Sequence, residues 1–573
     1  MASRLLRLLH VLPLLVLALG LFAPTADAQR AGGKTRPFPA LGVEFKPLKD
    51  MSDVPANDRL QSIGVVAQMD SKDPSVIKLT DSRGDTTNHR IEYAPSLKVA
   101  RIDPPEATTG EDGEEDPLEE FFGDSGPESV AEVVQVLFGG LGEIDLSEAE
   151  HDDDWNGARG MTIERYEYES YLSMGQYYAP VVLDIYVFHL DDFKLVMAWD
   201  YPSESKIRKK WDSAVRKSMK SVKMMRRDAV ELDLGEVNSE SSYEDLLAFH
   251  THDVEQTPGW RLVEVPSKQY LIKTNVPTKD KKDISAVISR IEAARTLYEK
   301  DFPPARPITS VSVIRICASR ADFNTYGQTG GGVAGYFNPG SEELVLFFDR
   351  SMSDDSTLSV MTHEGFHQYC HFLFNRSEAH RWFDEGHGDY YGAFKQKGKR
   401  MIPNEDMDGG LARLPEIKRM FQDETIAPLS EHIRFNHGQW QNQGPSNVSC
   451  YAQSFSLIYF LREGTNGNVN KKYWKKEYAD IIPSYMRVLD EGYQAAYAKI
   501  VEESEEALAE LEEAGEGTGF LANKLRGTID APWDGLGWSE KQEIWDAAME
   551  ASWGQVDEAE FEERWLAFVE HEH

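Results

Sequence analysis

Two histidines four residues apart, His363 and His367, constrain this chain more than any other feature of its sequence. Positions i and i+4 lie on one face of a helix, so both imidazoles can bind a single metal ion. Glu364 follows the first histidine and can act as general base toward a water that the metal activates. A catalytic zinc site needs a third ligand, and Glu385, eighteen positions after His367, is the candidate.

The residues around the two histidines support a helix and exclude other ligands. Residues 358–373 contain no proline, and their apolar positions recur at spacings of three to five. His371 lies roughly 12 Å of axial rise from His363, too far for one ion. Position 373, where a histidine would indicate the three-histidine metzincin arrangement, is Leu. His387 should point to a different side of its helix from Glu385. The alternative is that all these histidines are ordinary surface or core residues.

A second motif gives this pattern a family resemblance. Residues 382–390 read Trp-Phe-Asp-Glu-Gly-His-Gly-Asp-Tyr. Together with the His-Glu-Gly-Phe-His segment, this resembles the gluzincin pattern of thermolysin-like and aminopeptidase-like zinc peptidases. It more closely resembles a secreted bacterial domain of unknown function in the peptidase MA-like superfamily. The similarity extends from about residue 258 to the C-terminus and includes residues 334–340 and 451–455.

This resemblance implies a fold and a set of site residues. His363, His367 and Glu385 would be the zinc ligands, and Glu364 would be the general base. Asp389, one turn after Glu385, would accept a hydrogen bond from a ligand histidine and orient its ring. The expected fold is a zincin-like peptidase domain, in which a mixed sheet packs against the active-site helices.

Hydrolysis of an amide also needs a donor for the developing oxyanion. Tyr451 is the first choice because it opens an apolar segment in the position that the family resemblance indicates, and His437 is the second. Tyr451 as a packed helix residue is the alternative. Residues 334–338 and 344–349 predict a hairpin, whose edge strand either holds the substrate backbone by strand addition or serves as scaffold.

The bulk composition excludes two classes of partner. The chain carries 97 acidic and 61 basic residues, a formal net charge of −36. Nucleic acids and anionic membranes bind cationic surfaces, so neither is an expected partner. A peptide or protein substrate is expected instead. With only Cys317, Cys370 and Cys450 present, the chain does not depend on a disulfide framework, although one bridge is possible.

The N-terminus predicts export. Arg4 and Arg7 precede the apolar run of residues 11–22, and small residues surround a cleavage point after Ala28. The run is short for a membrane span and Pro13 interrupts it, which favours cleavage over an uncleaved anchor. We therefore expect a signal peptide over residues 1–28 and a secreted or periplasmic protein without a membrane span.

The remaining sequence predicts an α+β protein with four further regions. Residues 29–102 indicate a β-rich segment, and residues 103–128 an acidic linker rich in Asp, Glu, Gly and Pro. Strand patterns followed by a helix predict a small α+β domain over residues 129–256. Residues 257–573 form the expected peptidase-like domain.

Three local patterns give sharper expectations. The apolar string over residues 60–67 predicts a strand, and residues 206–225 predict an amphipathic helix. The final helix, around residues 558–569, carries Phe561, Trp565 and Phe568 on one face and should pack against the domain.

The principal hypothesis from the sequence is a secreted zinc-dependent peptidase in which Glu364 is the general base. The competing hypothesis is a non-catalytic envelope or extracellular binding protein built on a peptidase-like scaffold. The intact Glu364 argues against the second hypothesis, because a degenerate site has no need of a base. The sequence specifies neither the substrate nor the oligomeric state.

Overall fold

A computed structural model describes most of the chain. The described residues are 35–38, 41, 43–72, 74–81, 83–103, 129–157, 161–174, 176–190, 193–225, 241–329, 333–348, 354–403, 413–446, 448–514 and 517–571. The predicted signal peptide and all of the predicted acidic linker except Asp103 lie outside these residues. Within them, no helix combines the length and the apolar character that crossing a membrane requires.

The first half of the chain is dominated by antiparallel strands. The strands are β1 (Arg36–Phe38), β2 (Val43–Phe45), β3 (Met51–Val54), β4 (Val65–Ser71), β5 (Ser75–Asp81), β6 (Thr86–Tyr93), β7 (Ser96–Ile102), β8 (Glu150–Asp152), β9 (Thr162–Met174), β10 (Tyr177–His189), β11 (Lys194–Pro202) and β12 (Lys223–Met224). The helices of this half are α1 (Asp58–Ser62), α2 (Val130–Phe138) and α3 (Ser205–Met219).

One large sheet joins most of these strands. Its order is β3-β4-β7-β11-β10-β5-β6, with β9 paired to β10 and β8 paired to β9, while β1, β2 and β12 form a small separate sheet. Strands β3 to β7 come from the expected β-rich segment, and β8 to β11 come from the expected α+β domain. The large sheet therefore spans both predicted regions through the pairing of β7 with β11.

The second half begins with α4 (Tyr243–Gln256) and a five-stranded mixed sheet. Its elements are β13 (Arg261–Glu264), β14 (Tyr270–Thr274), α5 (Lys281–Asp301), β15 (Ser312–Cys317), α6 (Arg320–Gly327), β16 (Gly335–Asn338) and β17 (Glu343–Phe347). The strand order is β13-β14-β15-β17-β16, parallel in the centre and antiparallel at both edges. The predicted hairpin is confirmed as β16 and β17.

Helices and one short hairpin complete the chain. They are α7 (Asp354–Leu373), α8 (Arg381–Gly392), β18 (Lys395–Lys397), β19 (Arg400–Ile402), α9 (Leu414–Gln422), α10 (Leu429–His432), α11 (His437–Gln441), α12 (Ser449–Thr465), α13 (Ile481–Glu513), α14 (Phe520–Asp530), α15 (Trp538–Ser552) and α16 (Glu558–His571). The whole is an α+β protein with several sheets, as expected.

The two faces of the five-stranded sheet bury different side chains because strand residues alternate in direction. Ile314 and Leu344 pack with Ile291 of α5 and Met361 of α7 in one apolar cluster. The alternate residues face the other side, toward α4 and α6. This arrangement places α7 firmly on the sheet.

Aromatic packing holds the C-terminal helices around α7 and α8. Phe561, Trp565 and Phe568 of α16 are buried in the largest hydrophobic cluster, together with residues of α7, α8, α12 and α13. Trp565 Nε1 also donates a hydrogen bond to Ser456 Oγ at 3.1 Å. The prediction that the final helix packs onto the domain is confirmed.

Two local predictions were wrong. The string over residues 60–67 is not one strand, because Asn57 accepts a hydrogen bond from the backbone N–H of Leu60 and caps the short helix α1. The helix predicted over residues 206–225 ends at Met219. The chain after it pairs as β12 with β2, which places Lys223 opposite Glu44.

Candidate metal centre

The His-Glu-Gly-Phe-His motif lies on helix α7, which packs into the core of the domain. Phe366 and Tyr369 are buried against α5 and fix the rotation of α7, which leaves His363, Glu364 and His367 on the side facing α8. Gly365 allows this close packing, since a methyl group at that position would lie 2.8 Å from Ile291 Cδ1. The glycine inside the helix thus has a packing reason that the sequence did not reveal.

Three side-chain atoms converge between α7 and α8. His363 Nε2 lies 3.0 Å from His367 Nε2, 3.2 Å from Glu385 Oε2, and His367 Nε2 lies 3.4 Å from the same oxygen. His363 and Glu385 are buried, and His367 is partly exposed. Among the described residues this is the one group of three or more His, Cys, Asp or Glu side chains close enough to hold a metal ion. The structure therefore brings the three predicted ligands together.

The spacing of these atoms fits zinc. Tetrahedral zinc with bonds of about 2.0–2.1 Å requires ligand atoms roughly 3.3 Å apart, and all three separations are close to this value. Glu385 Oε2 is buried without a hydrogen bond from any described residue. Two imidazole nitrogens and a carboxylate oxygen are the donor set of a catalytic zinc site with one open position. The residues present fit the metal that the sequence predicts.

Both histidines are oriented from behind by carboxylates of α8. His363 Nδ1 lies 3.0 Å from Asp389 Oδ1, and His367 Nδ1 lies 2.9 Å from Asp384 Oδ1. Asp389 is fully buried and accepts a hydrogen bond of 2.8 Å from Arg413 Nε. Such outer contacts fix the ring and leave its other nitrogen free to bind a metal.

A glycine makes the contact with Asp389 possible. A methyl group at Gly388 would lie 2.8 Å from His363 Nδ1 and 2.9 Å from its Cε1. The backbone of α8 therefore supports the imidazole ring directly. Two positions earlier, a methyl group on Gly386 would lie 2.7 Å from the carbonyl oxygen of Ser454, so α8 and α12 also pack backbone to backbone.

The charges of the centre shift the pKa values of its members. Burial acts to lower the pKa of His363, but the contacts with Asp389 and Glu385 outweigh it and raise this pKa to about 10. Burial opposes a similar rise at His367, where Asp384 and Glu385 hold the pKa well above its usual value. Burial would raise the pKa of Glu385, yet the two histidines hold it well below its usual range. These opposite shifts reflect the close contact between the imidazoles and the carboxylates of the centre.

Glu364 lies beside the three converging atoms and faces the edge strand β16. Its Oε2 accepts a hydrogen bond of 3.1 Å from the backbone N–H of Phe337. Burial raises the pKa of Glu364, and the neighbouring histidines partly oppose this rise. The side chain is only partly buried, so solvent reaches the centre from this side.

The two candidate oxyanion donors occupy different environments. Tyr451, in the first turn of α12, has its ring centroid 6.4 Å from that of His363 and 4.7 Å from that of Trp440. Burial, followed by Glu385, raises the pKa of Tyr451, so its hydroxyl keeps its proton at neutral pH. His437 is exposed at the start of α11. Tyr451 is the one of the two whose ring lies against a histidine of the centre.

The two excluded histidines lie where geometry predicted. His371 Nε2 lies 3.2 Å from Glu342 Oε1, away from the converging atoms. His387 is buried, with Nδ1 2.7 Å from the carbonyl oxygen of Phe383, and its Nε2 accepts from Arg462 Nε at 3.2 Å. Burial and Arg462 hold the pKa of His387 well below its usual value, so it is a neutral core residue.

Three residues of the centre were missed from the sequence. Asp384 contacts His367, Arg413 contacts Asp389, and Arg381 Nη1 donates to Glu385 Oε1 at 3.4 Å. Arg381 and Asp384 stand within one helical turn of Glu385, which is the signal that could have found them. Arg413 follows residues outside the described part of the chain and offered no such signal. The three cysteines are buried and free, so no disulfide joins them.

Comparison with known proteins adds little to this geometry. No protein-family model matches the chain, and no curated protein matches it. A crystal structure at 1.50 Å resolution from Bacteroides thetaiotaomicron VPI-5482 covers 65% of this chain and 85% of that chain. Its sequence is 8% identical and its TM-score is 0.19, a value too low to carry an argument about fold or function.

Proposed function

We propose that this protein is an exported zinc-dependent peptidase of the gluzincin type. The observation that carries the proposal is the convergence of His363, His367 and Glu385 with a carboxylate, Glu364, immediately beside them. A structural zinc site is closed by four protein ligands, whereas a catalytic site keeps one position open. Three ligands and an adjacent base match the second kind. The N-terminal sequence supports export.

The zinc would be held by the two imidazole nitrogens and Glu385, and when bound it supplies a Lewis acid that polarises a carbonyl and acidifies water. Glu364 would take the proton of the attacking water and pass it to the leaving amine. Because burial raises the pKa of Glu364, this carboxylate is a stronger base than an exposed glutamate. Its contact with Phe337 fixes its direction.

The surrounding residues would orient the reaction. Asp389 and Asp384 hold the two imidazoles with their Nε2 atoms toward each other. Tyr451, with its protonated hydroxyl, is the proposed donor to the developing oxyanion. Strand β16 lies at the edge of the five-stranded sheet, next to Glu364. An extended peptide that pairs with β16 would bring its backbone to the centre by strand addition.

Replacement of the base tests the proposal. We expect Glu364→Gln to lower the rate of cleavage of a denatured protein by about 10²- to 10⁴-fold, the usual contribution of a general base. Zinc content should be unchanged, since Glu364 is not among the converging ligand atoms. The matched control is Glu505→Gln on the exposed surface of α13, which should keep the wild-type rate.

Two outcomes would count against the proposal. If the wild-type protein cleaves the substrate and Glu364→Gln retains the rate, the mechanism is wrong. If the zinc-loaded wild-type protein cleaves no member of a broad peptide panel, the non-catalytic binding protein becomes the better hypothesis.

A further inference from the structure

A cavity of about 270 Å³ lies at the N-terminal end of α8. It is enclosed by Trp538, Trp545 and Asp546 of α15, by His380 before α8, and by Arg434 before α11. Its volume suits one amino-acid side chain rather than a whole peptide. Nothing in the proposed mechanism uses these residues.

Two tryptophan side chains line the cavity. Trp538 is 63% exposed, although a large apolar side chain is normally covered in a folded protein. Its ring centroid lies 5.9 Å from that of Trp545, which in turn lies 4.5 Å from that of His380. Trp538 and Trp545, whose ring planes cross at 72°, thus supply two aromatic rings to the lining of the cavity.

The charges of the cavity are unbalanced toward negative. Asp546 and Glu550 both line it, and neither forms an ion pair with a described residue. Arg434 also lines it, but its guanidinium binds both carboxylate oxygens of Glu558, at 3.1 and 2.5 Å. Asp546 and Glu550 therefore line the cavity without a salt bridge to any described Lys or Arg side chain.

His380 presents a polar atom to the same cavity. The residue is only 5% exposed, and its Nδ1 lies 2.8 Å from the Tyr485 hydroxyl. Its Nε2 has no hydrogen-bond partner among the described residues. Burial lowers the pKa of His380 to about 4, with Asp546 opposing and Arg434 supporting this change, so the ring is neutral at physiological pH. A neutral imidazole does not repel a cation.

The cavity and the ligand Glu385 lie at the same end of α8. His380 precedes Glu385 by five positions, which corresponds to about 7.5 Å along the axis of α8. Arg381, the residue after His380, contacts Glu385 Oε1 at 3.4 Å.

We propose that this cavity is a substrate subsite for the cationic side chain of a lysine or arginine residue. Aromatic faces attract cations through their quadrupoles, and the carboxylates of Asp546 and Glu550 add direct charge attraction. The formal net charge of −36 favours the approach of a basic peptide. The inference rests on the proposed peptidase function, because it assigns the specificity of that site.

The test separates binding from cleavage. The ligands are pairs of peptides that differ only by lysine or norleucine at one position. Their sequence is taken from the cleavage sites of a denatured protein, or from a peptide library screened for binding if no protein is cleaved. Their dissociation constants would be measured on the full-length, zinc-loaded Glu364→Gln protein, which binds without turnover. We expect lysine to be preferred, and Trp538→Ala and Asp546→Asn each to lower that preference by about 2- to 30-fold.

Matched variants control for general effects on the surface. Tyr171 is an aromatic residue that is 54% exposed on β9, and Glu505 is an exposed carboxylate on α13. Tyr171→Ala and Glu505→Gln should leave the preference for lysine unchanged. The norleucine peptide should bind Trp538→Ala and Asp546→Asn as it binds the parent protein.

Each outcome has a distinct meaning. If the preference for lysine depends on Trp538 and Asp546 but the wild-type protein cleaves nothing, the subsite proposal stands and the peptidase proposal is wrong. Cleavage without a preference for lysine or arginine overturns the subsite and keeps the peptidase. Equal binding of the lysine and norleucine peptides, or a preference for aromatic side chains or sugars, also overturns the cationic assignment.

Discussion

Two clusters of buried polar side chains flank the same five-stranded sheet, and they differ in how their charges are paired. On one face, Lys273, Arg315 and Glu343 project from β14, β15 and β17 toward Asp253 of α4. We call these four residues the sheet ion cluster. The metal centre lies beyond the other face, between α7 and α8. Both hold charges away from water, but in the sheet ion cluster every charge is paired with an opposite charge of the cluster.

The pairing in the sheet ion cluster is complete. Glu343 accepts two hydrogen bonds of 2.9 Å from Arg315 and one of 2.7 Å from Lys273, and Lys273 also lies 2.8 Å from Asp253. Burial acts to raise the pKa of Glu343, but Arg315 and Lys273 hold it well below its usual range. Such a cluster is structural, because every charge already has its partner.

The metal centre lacks this balance. His363, His367 and Glu385 direct ligand atoms toward one another, and Asp384 and Asp389 add further negative charge behind them. Arg413 pairs with Asp389, and Arg381 reaches only the outer oxygen of Glu385, Oε1, at 3.4 Å. The comparison teaches that buried charge alone does not identify a site. The informative feature is that ligand atoms of His363, His367 and Glu385 converge on one point.

The largest effect is expected from a substitution that breaks the sheet ion cluster. Glu343→Gln removes the charge that Lys273 and Arg315 share, and loss of one partner of a buried ion pair costs about 3–5 kcal/mol. We expect the free energy of unfolding in urea to fall by that amount. Zinc content of the folded variant should remain that of the wild type. If Glu343→Gln lost zinc without losing stability, the sheet ion cluster would not be the structural cluster that we describe.

A smaller effect is expected behind the metal ligands. Asp389→Asn and Asp384→Asn keep the shape of each side chain but weaken its hold on an imidazole. Each should lower zinc affinity by about 10- to 100-fold, as measured by competition with a chelator. Asp530→Asn, an exposed change in α14, is the control. Unaltered affinity in both variants would show that these carboxylates do not support the ligands.

The smallest effect concerns the backbone contact at His363. Gly388→Ala places a methyl group 2.8 Å from Nδ1, so the ring must shift. We expect zinc affinity to fall about 10-fold, within the usual cost of overpacking. Gly527→Ala in α14 is the matched control, since a methyl group there meets no atom within 4 Å. If both glycine variants bind zinc equally, the close approach of α8 has no role in holding the ring.

Helical periodicity made much of the metal centre predictable. The spacing of His363 and His367 follows from 3.6 residues per turn, and the same reasoning excluded His371. Asp384 was missed because its contact depends on how α8 crosses α7, which periodicity within one helix does not specify. Arg413 belongs to a different segment of the chain from both motifs, so no pattern within either motif predicts its contact with Asp389.

The fold was predictable where contacts are local and unpredictable where they are not. Helix α16 and the β16–β17 hairpin match their sequence patterns closely. The large sheet does not, since β7 pairs with β11 across about ninety residues and β5 with β10 at the far edge. Pairing between distant strands depends on the whole packing arrangement. The apolar string over residues 60–67 predicts a strand, but the chain forms the short helix α1 because Asn57 caps its N-terminus.

Zinc analysis of purified full-length protein tests the central claim most directly. Wild-type and Glu343→Gln proteins should each contain one zinc ion per chain after exposure to zinc and removal of excess metal. His363→Ala and Glu385→Ala should contain none while keeping the circular dichroism spectrum of the wild type. A folded wild-type protein without stoichiometric zinc, or a His363→Ala variant that retains it, would contradict the account.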